Sequence, residues 1–168
     1  MKENIILIGM PGSGKTAVAA ELAKRGYRVY DTDAIFEKEY AMSITDCFNR
    51  YGEQVFRLRE SDIIKSLAGI SESVVSTGGG SVLDEDNMVV LTGIGRIVLL
   101  ECNPEKLQGR LAGDNKRPLT GNASLQTLKL IWERRRPAYI RWAKEVYDSG
   151  RLKPKEIAQK IIINRVTA

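Results

Sequence analysis

The chain has no histidine anywhere in its 168 residues, and only two cysteines, Cys47 and Cys102, far apart in sequence. Without histidine there is no Ser-His or Cys-His nucleophile pair, so a general base acting near neutral pH has to be a carboxylate or a lysine. Two separated cysteines suggest neither a zinc set nor a disulfide framework, and both are expected to be buried as small apolar side chains. Long apolar runs are missing as well: no stretch approaches the ~20 residues needed to span a bilayer. The run Ile5 to Ile8 is too short for the apolar region of a signal peptide. A membrane protein and a secreted one are therefore disfavoured, and a cytoplasmic location is expected. Repeats, low-complexity tracts and inter-domain linkers are not evident, so one domain over residues 1–168 is expected.

What is present fits an ordinary globular protein, with 43% hydrophobic and 28% charged residues. The net charge of +5 is gathered in Lys116-Arg117, Arg134 to Arg136, Arg141 and Arg151 to Lys155 rather than in a basic tail. No aromatic stacking platform or base-reading motif accompanies it, so small polyanions suit the charge better than nucleic acid.

Ile5 to Ile8 is a short apolar run closed by a glycine-rich turn, the pattern of a buried parallel strand. Ala17 to Arg25 follows as a helix ending at Gly26. Further strands are predicted at Arg28 to Tyr30, Val74 to Ser76, Ile97 to Leu100 and Glu145 to Tyr147, with helical patterns between them, including Leu125 to Ala143 and Pro154 to Ile163. Alternating strands and helices predict an α/β fold: a five-stranded parallel sheet flanked by helices in three layers. A mostly helical insertion over about 34–67 and an irregular stretch over about 113–124, holding Asp114, Lys116, Arg117 and Pro118, are expected to serve as a substrate-binding segment and a mobile lid.

Gly9-Met10-Pro11-Gly12-Ser13-Gly14-Lys15-Thr16 satisfies G-x-x-x-x-G-K-[ST] between a strand and a helix. Glycines let backbone N–H groups curl round phosphates, the helix N-terminus adds positive partial charge, Lys15 reaches the β- and γ-phosphates, and the Thr16 hydroxyl can ligate Mg²⁺. A plain strand-to-helix turn would need none of these. Asp31 and Asp33 follow the second strand. In an extended segment residues two apart point the same way, so both carboxylates are expected to face one pocket, one supporting the metal's water and the other accepting a hydroxyl proton; a helix cap is the competing reading. Arg57 and Glu60 lie three apart on one helical face, where the acid can orient the guanidinium for bidentate capture of a carboxylate; a surface ion pair is the commoner outcome of such spacing. Gly78-Gly79-Gly80 permits close backbone approach to a ligand.

Together these elements resemble the shikimate kinase family over nearly the whole chain. The matching motifs are the P-loop, Asp31-Thr32-Asp33, Gly52-Glu53-x-x-Phe56-Arg57-x-x-Glu60, Ser76-Thr77-Gly78-Gly79-Gly80, Arg117-Pro118-Leu119 and Arg135-x-Pro137-x-Tyr139. The resemblance implies the P-loop kinase fold and ATP-dependent phosphorylation of the 3-hydroxyl of shikimate, with Mg²⁺ as cofactor and a monomer as the acting unit. It implies Asp33, Lys15 and Arg117 as catalytic residues, with Asp33 as base. ATP would be held by Gly12, Ser13, Gly14, Lys15, Thr16 and Ala17, with Arg110 and Pro154 against the adenine and Arg117 at the transferring phosphate. Shikimate would meet Asp33, Arg57, Glu60, Gly79, Gly80 and Arg135; the metal would meet Thr16 and, through water, Asp31. Ser76 falls in the family's second metal-supporting motif. Arg135 is chosen because it stands four before Tyr139, with Arg136 the alternative one residue on. Two departures are Ala138 where leucine is usual and Thr120 where an apolar residue is common.

Two other classes remain at this point. Another P-loop kinase, acting on gluconate or a nucleoside monophosphate, would share the P-loop and lid but lack the Phe56-Arg57-x-x-Glu60 and triple-glycine combination. A catalytically silent nucleotide-binding module would lose the base or the lid arginine, and Asp33 and Arg117 are both present.

Overall fold

The computed structural model describes residues 2–113 and 117–164. Asp114 and Lys116, assigned to the lid, lie outside the described residues. Five parallel strands, β1 (Ile5–Ile8), β2 (Arg28–Asp31), β3 (Ser73–Ser76), β4 (Arg96–Glu101) and β5 (Glu145–Asp148), form one sheet in the order β2-β3-β1-β4-β5. β1 sits in the middle, pairing Ile5 with Val74 of β3 on one side and with Arg96 of β4 on the other. A strand covered on both faces has to be apolar throughout, and all four residues of β1 are buried.

Side chains alternate across the sheet and so divide the core. Ile5 and Leu7 pack with Leu22 of α1 (Lys15–Ala23) and Ile157 of α7 (Pro154–Asn164) on one face. Ile6 and Ile8 pack on the other with Met88 and Leu91 of α4 (Glu85–Ile94) and Leu128 of α6 (Leu125–Trp142). Helix α5 (Pro104–Leu111) adds Leu107 to this second layer. The order places a crossover reversal at β1, so the C-terminal ends of β1 and β3 open into the crevice where ligands bind in such sheets.

The insertion begins earlier than its composition indicates. It is a pair of helices, α2 (Thr32–Tyr40) and α3 (Ile44–Ser66), with a small core of its own in which Phe36 and Phe56 meet edge to face at 5.1 Å. Gly52, at φ 83° and ψ 168°, breaks α3 into two parts with a kink between them. Asp33 therefore lies in the first turn of α2 rather than in an extended segment, which corrects the alternation expected for Asp31 and Asp33. Asp31 ends β2 and caps α2, its Oδ1 accepting from the N–H groups of Asp33 at 3.0 Å and Ala34 at 3.2 Å. Helix α1 likewise starts at Lys15, two residues before the apolar pattern shows it, because Val18 N–H already bonds Gly14 O at 3.0 Å. Both cysteines are buried and free.

The turn out of β1 depends on Gly9. Its φ of +145° is costly for any side chain, and a Cβ there would sit 2.5 Å from the backbone oxygen of Leu100. Gly9→Ala should cost at least about 2 kcal/mol of stability, read as a lower urea midpoint with an unchanged m-value; a midpoint equal to that of the parent would show that the turn relaxes freely.

Candidate active site

The loop from Gly9 to Thr16 curls so tightly that the Lys15 amine folds back over it, donating to Gly9 O at 2.8 Å and Met10 O at 3.0 Å. Burial is the main force pushing the Lys15 pKa down to about 7, with the charge of Arg117 adding to it and Asp33 and Asp31 opposing. Thr16, exposed on the first turn of α1, points its hydroxyl at Asp31 Oδ2, 3.4 Å away. Asp31 thus caps α2 with one oxygen, the competing reading of its position, and faces Thr16 with the other. Magnesium keeps most of its waters and takes one or two protein oxygens plus phosphates. A threonine hydroxyl beside one carboxylate at the mouth of a phosphate loop fits that donor set.

Across from Lys15 lies a cavity whose wall combines Asp33, Arg57, Glu60, Arg117 and Arg135. Four separate stretches of chain bring these groups together. Arg57 donates to Glu60 Oε2 at 2.8 Å, and Glu60, only 2% exposed, also accepts the Ser81 hydroxyl at 2.7 Å on Oε1. The spacing of Arg57 and Glu60 is thus a buried pair rather than a surface one. Burial alone would lower the Arg57 pKa, but Glu60 and Glu53 outweigh it and raise it.

Arg135 comes from α6 and is buried, while Arg136 turns away to pair with Glu101 at 2.8 Å over the ring of Trp132. Of the two registers, only Arg135 lines this cavity. The Tyr139 hydroxyl, one turn further along α6, donates to Gly79 O and stays protonated, its pKa pushed by burial up to about 12.

The triple glycine is used mainly against the protein itself. A Cβ at Gly79 would lie 2.5 Å from the Pro11 ring, and one at Gly80 would lie 2.3 Å from an Arg57 guanidinium nitrogen. These glycines let the phosphate loop and the arginine pack directly onto backbone. Gly78 N–H is held by the Thr32 hydroxyl at 3.0 Å, which ties the end of β3 to the start of α2.

Arg110 bridges the phosphate loop and the β5–α7 connection, donating to Gly12 O at 3.1 Å and Ser149 O at 2.7 Å. Ser76 is buried at the end of β3. Pro154 is exposed at the start of α7 and does not line the cavity. Several wall residues carried no signal in the sequence: Pro11, Ile44, Phe48 and Thr120 line the same cavity. Ile44 and Phe48 lie in the part of α3 before the kink at Gly52, which spacing does not show.

Comparison with known proteins follows the same lines. Residues 11–165 match the family model described as shikimate kinase. The chain belongs to the shikimate kinase family. It is 42% identical to a shikimate kinase of Geobacter sulfurreducens over 138 residues, 81% of this chain and 76% of the relative. Against that of Syntrophus aciditrophicus the identity is 39% over 173 residues, covering 95% and 89%. Among solved structures, shikimate kinase from Acinetobacter baumannii in complex with shikimate superimposes with a TM-score of 0.93 at 30% identity, covering 98% of this chain and 93% of that one. The enzyme from Aquifex aeolicus gives a TM-score of 0.84 at 29% identity, covering 97% and 96%. As a family member the chain is a phosphotransferase.

Asp33 has its pKa raised from 3.8 to about 6, first by burial, then by repulsion from Asp31 and Glu60, with Lys15 and Arg117 opposing. A carboxyl whose folded pKa lies above its unfolded value adds stability below the unfolded pKa and loses it as pH rises through the folded one. A shift of about two units corresponds to about 3 kcal/mol. Because 33% of the side chain is exposed, solvent screening reduces this to about 1 kcal/mol. Asp33→Asn should therefore make the ligand-free protein more stable by about 1 kcal/mol at pH 7.5, where Asp33 is charged, and leave it unchanged near pH 4. Urea unfolding at the two pH values checks this, and a variant less stable at pH 7.5 would contradict it.

Proposed function

We propose that the protein transfers the γ-phosphoryl group of ATP to the 3-hydroxyl of shikimate, giving shikimate 3-phosphate, a step of chorismate and aromatic amino acid biosynthesis. The observation that carries this reading is the pair of arginines, Arg57 and Arg135, lining one cavity with Asp33. A neutral acceptor would have no use for two guanidinium groups, whereas an acidic cyclic alcohol needs a carboxylate receptor at one end and a base at the other. Membership of the family and the similarity to a solved shikimate complex support the same acceptor.

In this reading the loop amides of Gly12, Ser13, Gly14, Thr16 and Ala17 hold the phosphates of ATP, with Lys15 giving up its own loop carbonyls to meet them. Arg110 and Pro154 flank the adenine. Arg57 and Arg135 take the acceptor's carboxylate, Glu60 keeps Arg57 in place, and Gly79 and Gly80 face the ring. Asp33 orients the attacking hydroxyl and accepts its proton as the O–P bond forms and the bond to ADP breaks. Arg117 stands 4.0 Å from Asp33, between donor and acceptor sides, and neutralises charge on the phosphoryl group in transit. Magnesium, bound by Thr16 directly and by Asp31 through water, would neutralise phosphate charge. One chain supplies every group named, so a monomer is the proposed acting unit, and the cytoplasm the proposed compartment.

Four outcomes are expected. Purified protein offered ATP, Mg²⁺ and a panel of acceptors should phosphorylate shikimate and not gluconate or nucleoside monophosphates; turnover confined to either of the latter sinks the assignment. Asp33→Asn should abolish turnover, by at least about 100-fold as expected for a general base, while ATP binding stays within a factor of a few, and Arg57→Ala should raise KM for shikimate far more than KM for ATP. Because the base works only when ionised, kcat/KM for shikimate should fall as pH drops below about 6. A profile flat to pH 5 would remove Asp33 from that role.

A further inference from the structure

Arg57 has two acidic partners of very different kind. Glu60 Oε2 takes NH1 at 2.8 Å, and its side chain is only 3% exposed. On the other side a single oxygen of Glu53 is shared between Nε at 3.3 Å and NH2 at 3.2 Å, and the Glu53 side chain is 50% exposed. Long, exposed contacts of this sort are weakly held, whereas a buried pair costs far more to break.

The nitrogen that Glu53 holds is also the one nearest the cavity backbone. A Cβ on Gly80 would lie 2.3 Å from NH2, closer than to any other Arg57 atom. A carboxylate docking on Arg57 beside Gly80 therefore competes with Glu53 for NH2, and two-point capture along the Nε–NH2 edge requires that edge to be vacated.

The geometry points to Glu53 as a built-in competitor for the acceptor's carboxylate, a positioning residue that sets how tightly Arg57 binds shikimate. In the empty cavity Glu53 offsets a guanidinium that would otherwise share the site with Arg117, Arg135 and Lys15. When acceptor arrives, Glu53 yields to it; after transfer it returns, helping the product's carboxylate leave. Glu60, fixed by Ser81, cannot play this part because it is buried and stays paired throughout. The inference rests on the reading of Arg57 as the carboxylate receptor.

The test is calorimetric titration of shikimate into the parent protein, Glu53→Gln, Glu53→Ala, Arg57→Ala and the Glu53→Gln/Arg57→Ala double variant, with steady-state kinetics alongside. Removing the competing charge should lower Kd and KM for shikimate about two- to fivefold, the size expected for an exposed pair. KM for ATP should not move, the gain should shrink in about 1 M salt, and it should vanish in the Arg57→Ala background. A Kd for shikimate that rises or stays constant in both Glu53 variants overturns the proposal, a rise meaning that Glu53 assists Arg57 instead. Arg57→Ala without effect on shikimate brings down the carboxylate reading and this inference together; a large loss there with no gain at Glu53 brings down the inference alone.

Discussion

Glu60 is a carboxylate with 2% of its surface in solvent, held on one oxygen by Arg57 at 2.8 Å and on the other by Ser81 at 2.7 Å. That one buried charge joins α3 to the turn after β3, crowds Gly78 so that a Cβ there would sit 2.5 Å away, and contributes to raising the pKa of Asp33. Loss of Arg57 would leave an uncompensated charge in a low-dielectric wall, at a cost of about 3–5 kcal/mol for a typical buried pair. The acceptor side of the cavity is arranged around it: the direction of Arg57, the backbone course at Gly78 to Gly80 and the proton affinity of Asp33 all trace back to this group.

The donor side shows a matching tension. Burial drives Lys15 towards its neutral form, with a pKa of about 7, and Asp33 towards its own, with a pKa of about 6. Each is held where water cannot solvate its charge fully; the counter-charge for Lys15 would come from a phosphate ligand, that for Asp33 from Lys15 and Arg117. A triphosphate would return Lys15 to the charged state, and Arg117 opposite Asp33 favours the ionised carboxylate. Electrostatics prepared in this way are what phosphoryl transfer requires, since the reaction needs positioned charge more than covalent help from the protein.

Some of this could be read without coordinates and some could not. The five strands fall within a residue or two of their expected places; β1 and β4 are legible because a strand buried on both faces has to be apolar, while β2 and β5 are partly exposed edge strands. The phosphate loop is legible for a related reason: all its groups lie within eight consecutive residues, and their spacing is the geometry. The start of α1 at Lys15 was hidden by the glycines before it, and the cap formed by Asp31 was hidden because an Asp-Thr-Asp run reads equally as strand or helix start. Ile44, Phe48 and Pro11 gave no sign of facing the acceptor cavity, since apolar residues in helices and loops look the same whether they line a core or a site.

By itself, then, the sequence determined the sheet, the phosphate loop and the inventory of chemistry: no histidine, hence a carboxylate or lysine base, and arginines in excess of what the sheet needs. Tertiary structure alone decided which of those arginines face the cavity. Arg135 and Arg136 are adjacent in sequence and identical in chemistry, yet successive residues on a helix point about 100° apart. One is buried beside Tyr139 and Gly79 while the other pairs with Glu101 outside. It also decided that Arg57 has one permanent partner and one exchangeable one. Glu60 stands three residues after Arg57 and Glu53 four before it, in like chemistry, and only the packing of α3 against the turn at Ser81 buries the first and leaves the second half exposed.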